Sequence, residues 1–412
     1  MFLARLFNAF IRKGSVSVID HRGLRYDCAG VEPGPHATIR LHQPGLSRRI
    51  VLSPPMAVGE AYMDGTLTIE EGTLYDFLDV CTLNLHHLYR LPYYSTLEGL
   101  LKVGRRLTQF NPAQRSRRNV AHHYDLSGKL YDLFLDADRH YSCAYFTRPG
   151  QDLESAQLAK KRHIAAKLCL HRRGLRVLDI GCGWGGLALH LAAETGAHVT
   201  GVTLSEEQFK LARERATRAG LSDRVTIEMR DYRDIEGKFD RIVSVGMFEH
   251  VGVPHYGAFF DKVHSLLADD GVALLHSIGR SDGPGTTNAW LRKYIFPGGY
   301  VPAMSEVVPI VEKSGLLITD IEILRLHYAE TLRAWHERFQ ANRDEVAALY
   351  DDRFVRMWEF YLIGAELAFR NEGQMVFQIQ MSRDLGAVPL TRDYIGTWEQ
   401  SHRAEAGAES AA

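Results

Sequence analysis

The residues of this chain that are able to do chemistry gather at the ends of apolar runs. In VLDIGCGWGG, residues 177–186, an apolar run ends on Asp179 and opens into a glycine-dense turn, and the helical pattern LALHLAAE follows. A strand, a tight turn and a helix start, in that order, let backbone come close to a nucleotide-like ligand. Gly181, Gly183 and Gly186 satisfy G-x-G-x-x-G, a pattern shared with dinucleotide sites. Two details point elsewhere. The acid stands before the first glycine, not at the end of the next strand. About 20 residues on, where a nicotinamide site needs its ribose-binding carboxylate, the chain reads HVTGVTLS with no acid until Glu206. The turn therefore reads as a site for S-adenosylmethionine (SAM). Gly181 and Gly183 admit the charged methionine portion, and Asp179 orients the turn. Thr203, Leu204 and Ser205, with Gln208, fall on the ribose side, and Asp231 and Tyr232 fall by the adenine.

A second set of groups follows. VGMFEHVG places Glu249 beside His250 at the carboxyl end of a strand, where parallel sheets bind ligands. His276 in ALLHSIG and Tyr328 in LHYAET stand in apolar settings, and YSCAYF sets Cys143 among aromatics. Taken singly, each has an ordinary structural reading: a surface pair, a satisfied core histidine, a buried cysteine.

The elements that must position these groups alternate. GLRVLDI, AHVTGVTL, DRVTIEM, FDRIVSV, DGVALLHSI and LLITDIEILRL read as strands separated by helices, the rhythm of a parallel sheet. MVFQIQMS reads as a seventh strand, its alternation suiting an antiparallel edge partner. Between the last two lies a long helical insertion dense in aromatic residues, HYAETL through ELAFR. Before residue 92, SVSVID, HATIRLH and RRIVLS read as short strands of a small α+β domain. The expected order is therefore an N-terminal domain at 1–92, a basic linker at 93–122, a Rossmann-like α/β domain at 123–400 and a disordered tail at 401–412.

Formal net charge is −1, so no global field points to nucleic acid. Charge is unevenly placed, however. Lys102, Arg105, Arg106, Arg115, Arg117 and Arg118 occur in a stretch with no acid. Near an anionic bilayer each such cation is worth about 1 kcal/mol; a solvated linker is the plainer reading. Five scattered cysteines with no C-x-x-C pair speak against a zinc site or a disulfide framework and suit a reducing cytoplasm. No run is long enough to span a bilayer. In MFLARLFNAFIRKG, Phe2, Leu3, Leu6, Phe7, Phe10 and Ile11 fall at helical spacing, either packing on their own domain or lying in a membrane interface.

Together these segments resemble the cyclopropane-fatty-acyl-phospholipid synthase family, which includes the mycolic acid cyclopropane synthases. YDLSGKLYDLFLDADRHYSCAYF, LDIGCGWGG, GVTLSEEQ, RIVSVGMFEHVG, LLHSIG, IFPGGYVP and HYAETLRAW match its blocks in order and spacing, covering residues 120–385. The first hundred residues or so resemble the lipid-engaging N-terminal domain of the bacterial phospholipid-modifying members. The resemblance implies a seven-stranded SAM-dependent methyltransferase fold with a helical insertion. It also implies methyl transfer from SAM to a cis double bond of phospholipid acyl chains, with bicarbonate as the base that removes a proton before ring closure. By motif, Glu249, His276, Tyr328 and the backbone at Cys143 would hold bicarbonate, with His250 nearby, while Tyr141 and Ser142 would join the SAM site. Tyr145, Phe146, Phe248, Trp358, Phe360 and Tyr361 would line a dry acyl channel. The implied setting is cytoplasmic and peripheral to an anionic membrane surface, and a homodimer is left open. One position departs from the family: where known members carry a second cysteine, this chain has Ala365, followed by Glu366. A methylene or methyl-branched product on the same substrate thus stands beside the cyclopropane.

Overall fold

The computed structural model describes residues 1–96, 99 and 127–409, with side chains as far as residue 402. The basic cluster from Lys102 to Arg118 lies outside the described residues. The chain falls into two compact units. The first is drawn from Met1–Thr108, Thr286–Pro297 and Leu332–Gln374, the second from Gln109–Gly285, Gly298–Thr331 and Met375–Ala412. Sequence spacing suggests consecutive domains, whereas these units interleave.

In the first unit, β1 (Lys13–Ile19), β2 (Arg25–Ala29), β3 (Glu32–Leu41) and β4 (Leu67–Glu71) form a sheet in the order β2–β1–β3–β4. Strand β1 runs parallel to β3 and antiparallel to β2. Alternation buries Val16 and Val18 of β1 with Ala37, Ile39 and Leu41 of β3. The helix Phe2–Phe10 turns Leu3, Phe7 and Phe10 into the same core. Its apolar face is thereby used within its own unit, and Phe2 is left exposed under the Arg48 guanidinium. The RRIVLS segment, expected as a strand, is instead the helix Leu46–Leu52. Leu46 and Ile50, one helical turn apart, both reach the core, and a run this short carries either period. Ile363 and Leu367 of the insertion helix Asp352–Asn371 also enter this core, which is why that stretch joins the first unit. Among the described residues no helix is long and apolar enough to cross a membrane.

The second unit is built on a seven-stranded sheet. Its strands are β5 (Arg176–Ile180), β6 (His198–Thr203), β7 (Val225–Met229), β8 (Phe239–Val245), β9 (Leu267–Arg280), β10 (Leu317–Leu324) and β11 (Gln374–Ser382), in the order β10–β11–β9–β8–β5–β6–β7. Strands β5 to β9 pair in parallel and β10 with β11 antiparallel. Both faces are covered. Val177, Val243 and Leu274 enter one apolar cluster, while their neighbours Leu178, Ile242, Ala273 and Leu275 enter the other. MVFQIQMS is not an edge strand: β11 lies between β9 and β10, and β10 forms the edge. Its glutamines are buried and bonded, Gln378 Nε2 to His276 Nδ1 at 3.1 Å and Gln380 Nε2 to the Lys167 carbonyl. The last helix, Asp393–Glu409, runs into the stretch expected as a disordered tail, and its alanine- and glutamate-rich composition favours that state.

The chain leaves β5 toward β6 and β7 on one side and returns to β8 and β9 on the other. The crevice at such a switch point opens at the carboxyl ends of the strands. Gly201 of β6, paired with Asp179, holds this region tight, since an added Cβ would sit 2.9 Å from Cys182 and Ile227 side-chain atoms. Gly201→Ala is expected to destabilise the fold by about 1–3 kcal/mol through overpacking. A urea midpoint equal to that of the parent would contradict this.

Candidate active site

Strand β5 ends at Ile180 and the next helix, Gly186–Thr195, starts at once, so residues 181–185 must reverse the chain. Gly181, Gly183 and Gly185 do so with φ of +82°, +55° and +83°, a region that side chains disfavour. Gly181 also lies where a Cβ would stand 2.8 Å from Met247. The N–H groups of Gly181 and Cys182 both donate to the Val202 carbonyl at 3.0 Å, so the end of β6 holds the turn. Backbone thus does what was expected of Asp179. The Asp179 carboxyl is buried in the cavity wall, and its Oδ2 has no partner among the described residues. Burial pushes its pKa up to about 7, against the pull of the Lys160 charge.

The cavity above this turn is walled by Tyr141, Ser142, Asp179, Gly181, Gly183, Thr203, Leu204, Gln208, Asp231 and Tyr232 from the first expected set, and by His250 from the second. Ser205 is outside the wall: its hydroxyl caps the helix Glu206–Arg218 by accepting the Gln208 N–H. The Thr203 hydroxyl donates to Gln208 Oε1 at 2.8 Å, and Arg233 holds both oxygens of Asp231 at 2.8 and 2.6 Å.

Sequence reasoning missed several wall residues, among them Asp138, His140, Lys160 and Met247. Asp136 Oδ2 lies 2.8 Å from His140 Nδ1 and is held well below the usual carboxylate range by that ring, so Nδ1 donates. His140 Nε2 is then an acceptor, buried and without a partner among the described residues. Burial pushes this histidine down to about 4. Lys160 was findable, because it repeats at helical spacing with Ala156 and Ile164 on the buried side of the helix Leu153–Lys167.

The second set assembles in two pairs. In the first, Glu249 Oε1 accepts the Ile278 N–H at 2.6 Å, which ties the turn after β8 to β9. His276 lies two residues back on β9 and faces Val245 in the ladder. Glu249 Oε2 is buried without a partner among the described residues. Burial pushes this carboxyl up to about 7, opposed by the Ile278 N–H and the Ser277 hydroxyl. Burial also pushes His276 well below and His250 down to about 4, so both imidazoles are neutral. In the second pair, the Ala144 N–H donates to Thr331 Oγ1 at 3.0 Å and the Phe146 N–H to His327 Nδ1 at 2.9 Å. These bonds clamp the Cys143 loop to the helix His327–Ala341, which carries buried Tyr328. Burial raises the Cys143 thiol, so it stays protonated.

The expected channel aromatics divide. Phe248 is fully buried against Tyr256 and Phe259, and Tyr145 stacks between His163 and His327 at 4.2 and 4.9 Å. Trp358, Phe360 and Tyr361 belong to the first unit, as does Ala365. Beside Ala365, buried Glu366 pairs with Arg370 at 2.7 Å and accepts from Tyr75 at 3.3 Å.

The cavity suits SAM. Asp179 Oδ2 and His140 Nε2, acceptors without partners among the described residues, match ammonium or hydroxyl donors, and the glycine turn at Gly181 and Gly183 exposes backbone to the cavity.

Comparison with known proteins agrees. The family model for mycolic acid cyclopropane synthetase matches residues 111–379. A cyclopropane-fatty-acyl-phospholipid synthase of Escherichia coli is 40% identical over 347 residues, 84% of this chain and 88% of that protein. A tuberculostearic acid methyltransferase of Mycobacterium tuberculosis is 38% identical over 357 residues, 84% of this chain and 83% of that one. The solved structure of a mycolic acid cyclopropane synthase complexed with SAH and CTAB superposes with a TM-score of 0.62 at 33% identity, covering 66% of this chain and 99% of that one.

Glu249 makes stability depend on pH. Its folded pKa, about 7, lies above the ordinary 4.5, so the folded state holds the proton more tightly than the unfolded state. Its contribution is therefore greatest below pH 4.5 and falls as pH rises toward 7. Glu249→Gln removes this dependence, so the stability of the parent relative to the variant is expected to fall across that window. Parallel denaturation curves at every pH would contradict it.

Proposed function

The chain belongs to the mycolic acid cyclopropane synthetase family of SAM-dependent methyltransferases, and from that premise we propose that it methylates the cis double bond of unsaturated phospholipid acyl chains and closes a cyclopropane ring. The observation that carries this reading is the Glu249 carboxyl. One oxygen is fixed by backbone, the other is buried and without a partner among the described residues, and the adjacent His250 reaches the cavity.

An alkene is a weak nucleophile, and alkylating it leaves a carbocation with no neighbouring heteroatom. SAM, when bound, supplies an electrophilic methyl. The residues of this chain have three further tasks: to orient the alkene for attack, to keep water from quenching the cation, and to see one proton leave the transferred methyl. Bonds balance: the π pair forms the new C–C bond, the C–S pair stays on sulfur, and loss of a methyl proton frees the pair that closes the ring. Hydrogen bonds from the Ala144, Phe146 and Ile278 N–H groups hold the Cys143 loop and Glu249 in place, and these would pre-position the groups for the reaction. Buried Phe248 and Tyr256 shield the Glu249 side from solvent. A carboxyl near 7 is available in both protonation states at neutral pH.

Bicarbonate is the base that the family resemblance implies. Glu249 Oε2 would accept its O–H, and His276, Tyr328 and the backbone at Cys143 would complete the set; the chemistry it would supply is that of the base. Peripheral association with an anionic membrane surface rests on the basic segment containing Lys102 to Arg118. A second reading, a methylene or methyl-branched product, is favoured by Ala365, which stands where a thiol was expected. There the same cation would shift a hydride and lose a different proton.

The test is incubation with SAM and vesicles of defined cis-monounsaturated phospholipid, with mass spectrometry and NMR of the acyl chains. The expected result is a gain of one CH₂ as a ring. Methylene or methyl signals would select the second reading. No gain with any unsaturated lipid, alongside methylation of a soluble acceptor, would overturn both. Glu249→Gln should keep SAM binding and lose about 100-fold or more in turnover. Undiminished turnover would remove Glu249 from the mechanism.

A further inference from the structure

The C-terminal helix Asp393–Glu409 takes no part in the proposed reaction, yet one buried side chain joins it to the loop that carries Cys143. His163, in the helix Leu153–Lys167, is 2% exposed, and neither it nor Glu399 lines the cofactor cavity. Both ring nitrogens meet acids. Nδ1 lies 2.7 Å from Glu399 Oε1 of the C-terminal helix, and Nε2 lies 2.8 Å from Glu322 Oε2 of β10. Burial would raise Glu322, but the His163 ring and the Lys167 charge hold it well below the usual carboxylate range. An ionised carboxylate only accepts, so a proton on each ring nitrogen satisfies both contacts.

The charges around that ring are matched. Lys167 pairs with Asp320 at 3.3 Å and with Glu322, and Arg392 pairs with Asp320 at 2.8 Å and Glu322 at 3.7 Å. His163, Lys167 and Arg392 thus stand among Asp320, Glu322 and Glu399, a set that joins the helix, the edge strand and the C-terminal helix. The flat face of the imidazole is used as well. Tyr145 stacks on it at 4.2 Å with the planes 11° apart, a cation–π arrangement, and His327 stacks on Tyr145 at 4.9 Å. Burial pushes His327 below its ordinary value, and its Nδ1 accepts the Phe146 N–H. Tyr145 therefore sits between the two N–H groups, of Ala144 and Phe146, that fasten the Cys143 loop.

We propose that His163 is a positioning residue: as an imidazolium between Glu322 and Glu399 it anchors the C-terminal helix and holds Tyr145, and with it the Cys143 loop, in register for the reaction. This rests on the reading of the Cys143 loop as part of the catalytic site. It makes the C-terminal helix a support of that site, acting through Glu399, His163 and Tyr145 in turn.

The test measures amide hydrogen exchange on the full chain, together with turnover on SAM and cis-monounsaturated phospholipid vesicles. Glu399→Leu removes one anchor of the ring from outside the cavity. Exchange at Ala144 and Phe146 should quicken about tenfold or more, while amides of β5 and β8 keep their protection. The kcat should fall about ten- to a hundred-fold, with S-adenosylhomocysteine affinity held within about twofold. Glu399→Gln keeps an acceptor oxygen and should recover most of the loss. His163→Phe keeps a stacking ring but loses both bonds and should resemble Glu399→Leu, which decides the matter if His163→Phe does not fold. Unchanged exchange at Ala144 and Phe146, or equal acceleration throughout β5 and β8, would overturn the proposal. A parent protein that alkylates no unsaturated lipid would overturn the catalytic reading instead, and the exchange measurement would still decide whether Glu399 holds the loop.

Discussion

Taking an ionisable group out of water disfavours its charged form; Lys160 and Asp179 are such groups in the wall of one cavity, and Glu249 is another, next in sequence to His250 of that wall. Lys160 is brought down to about 8, while the two acids are raised to about 7. Desolvation is the first cause in each case. A flexible site would let water back and return these groups to their ordinary values. The rest of the second unit can be read as the scaffold that prevents this: backbone N–H groups, a serine and an amide take the bonds that water would otherwise make.

One helix does much of that holding. From Leu153–Lys167, Gln157 grips the carbonyl of Ser142, and Lys161 grips Asp138. His163 reaches Glu322 and Glu399 at 2.8 and 2.7 Å, and Lys167 pairs with Asp320 and Glu322. The loop before the helix, the edge strand β10 and the C-terminal helix Asp393–Glu409 are all bound to it. Tyr145 stacks on His163, so the loop that bears Cys143 is fixed from this side as well as from Thr331. The glycine turn supplies the remaining constraint, since positive φ at Gly181, Gly183 and Gly185 lets the backbone reverse directly after β5.

Much of the fold was legible in the chain. The run VLDIGCGWGG and the alternation of six apolar strands with helices mark a parallel sheet, because strands buried on both faces read as continuous apolar runs. RRIVLS reads as a strand because both periods fit so short a run, whereas Leu46 and Ile50 join the core that the helix Phe2–Phe10 packs on. MVFQIQMS reads as an edge partner because its alternation suits an antiparallel strand at the sheet margin. Inside the sheet, Gln378 and Gln380 meet His276 and the Lys167 carbonyl, and these partners come from distant segments.

The candidate site divides along the same line. Residue type and local spacing determined the turn at Gly181, the pairing of Glu249 with His250 and the family to which their motifs belong, because each depends on neighbours within a few positions. Tertiary structure alone decided that Lys160 lies buried against Ser142, that His140 presents an acceptor, and that one oxygen of Glu249 is taken by Ile278 while the other has no partner among the described residues. The reason is physical. Protonation states and free hydrogen-bond positions follow from desolvation, which is the sum over every segment packed around a group, and no window of sequence contains that sum.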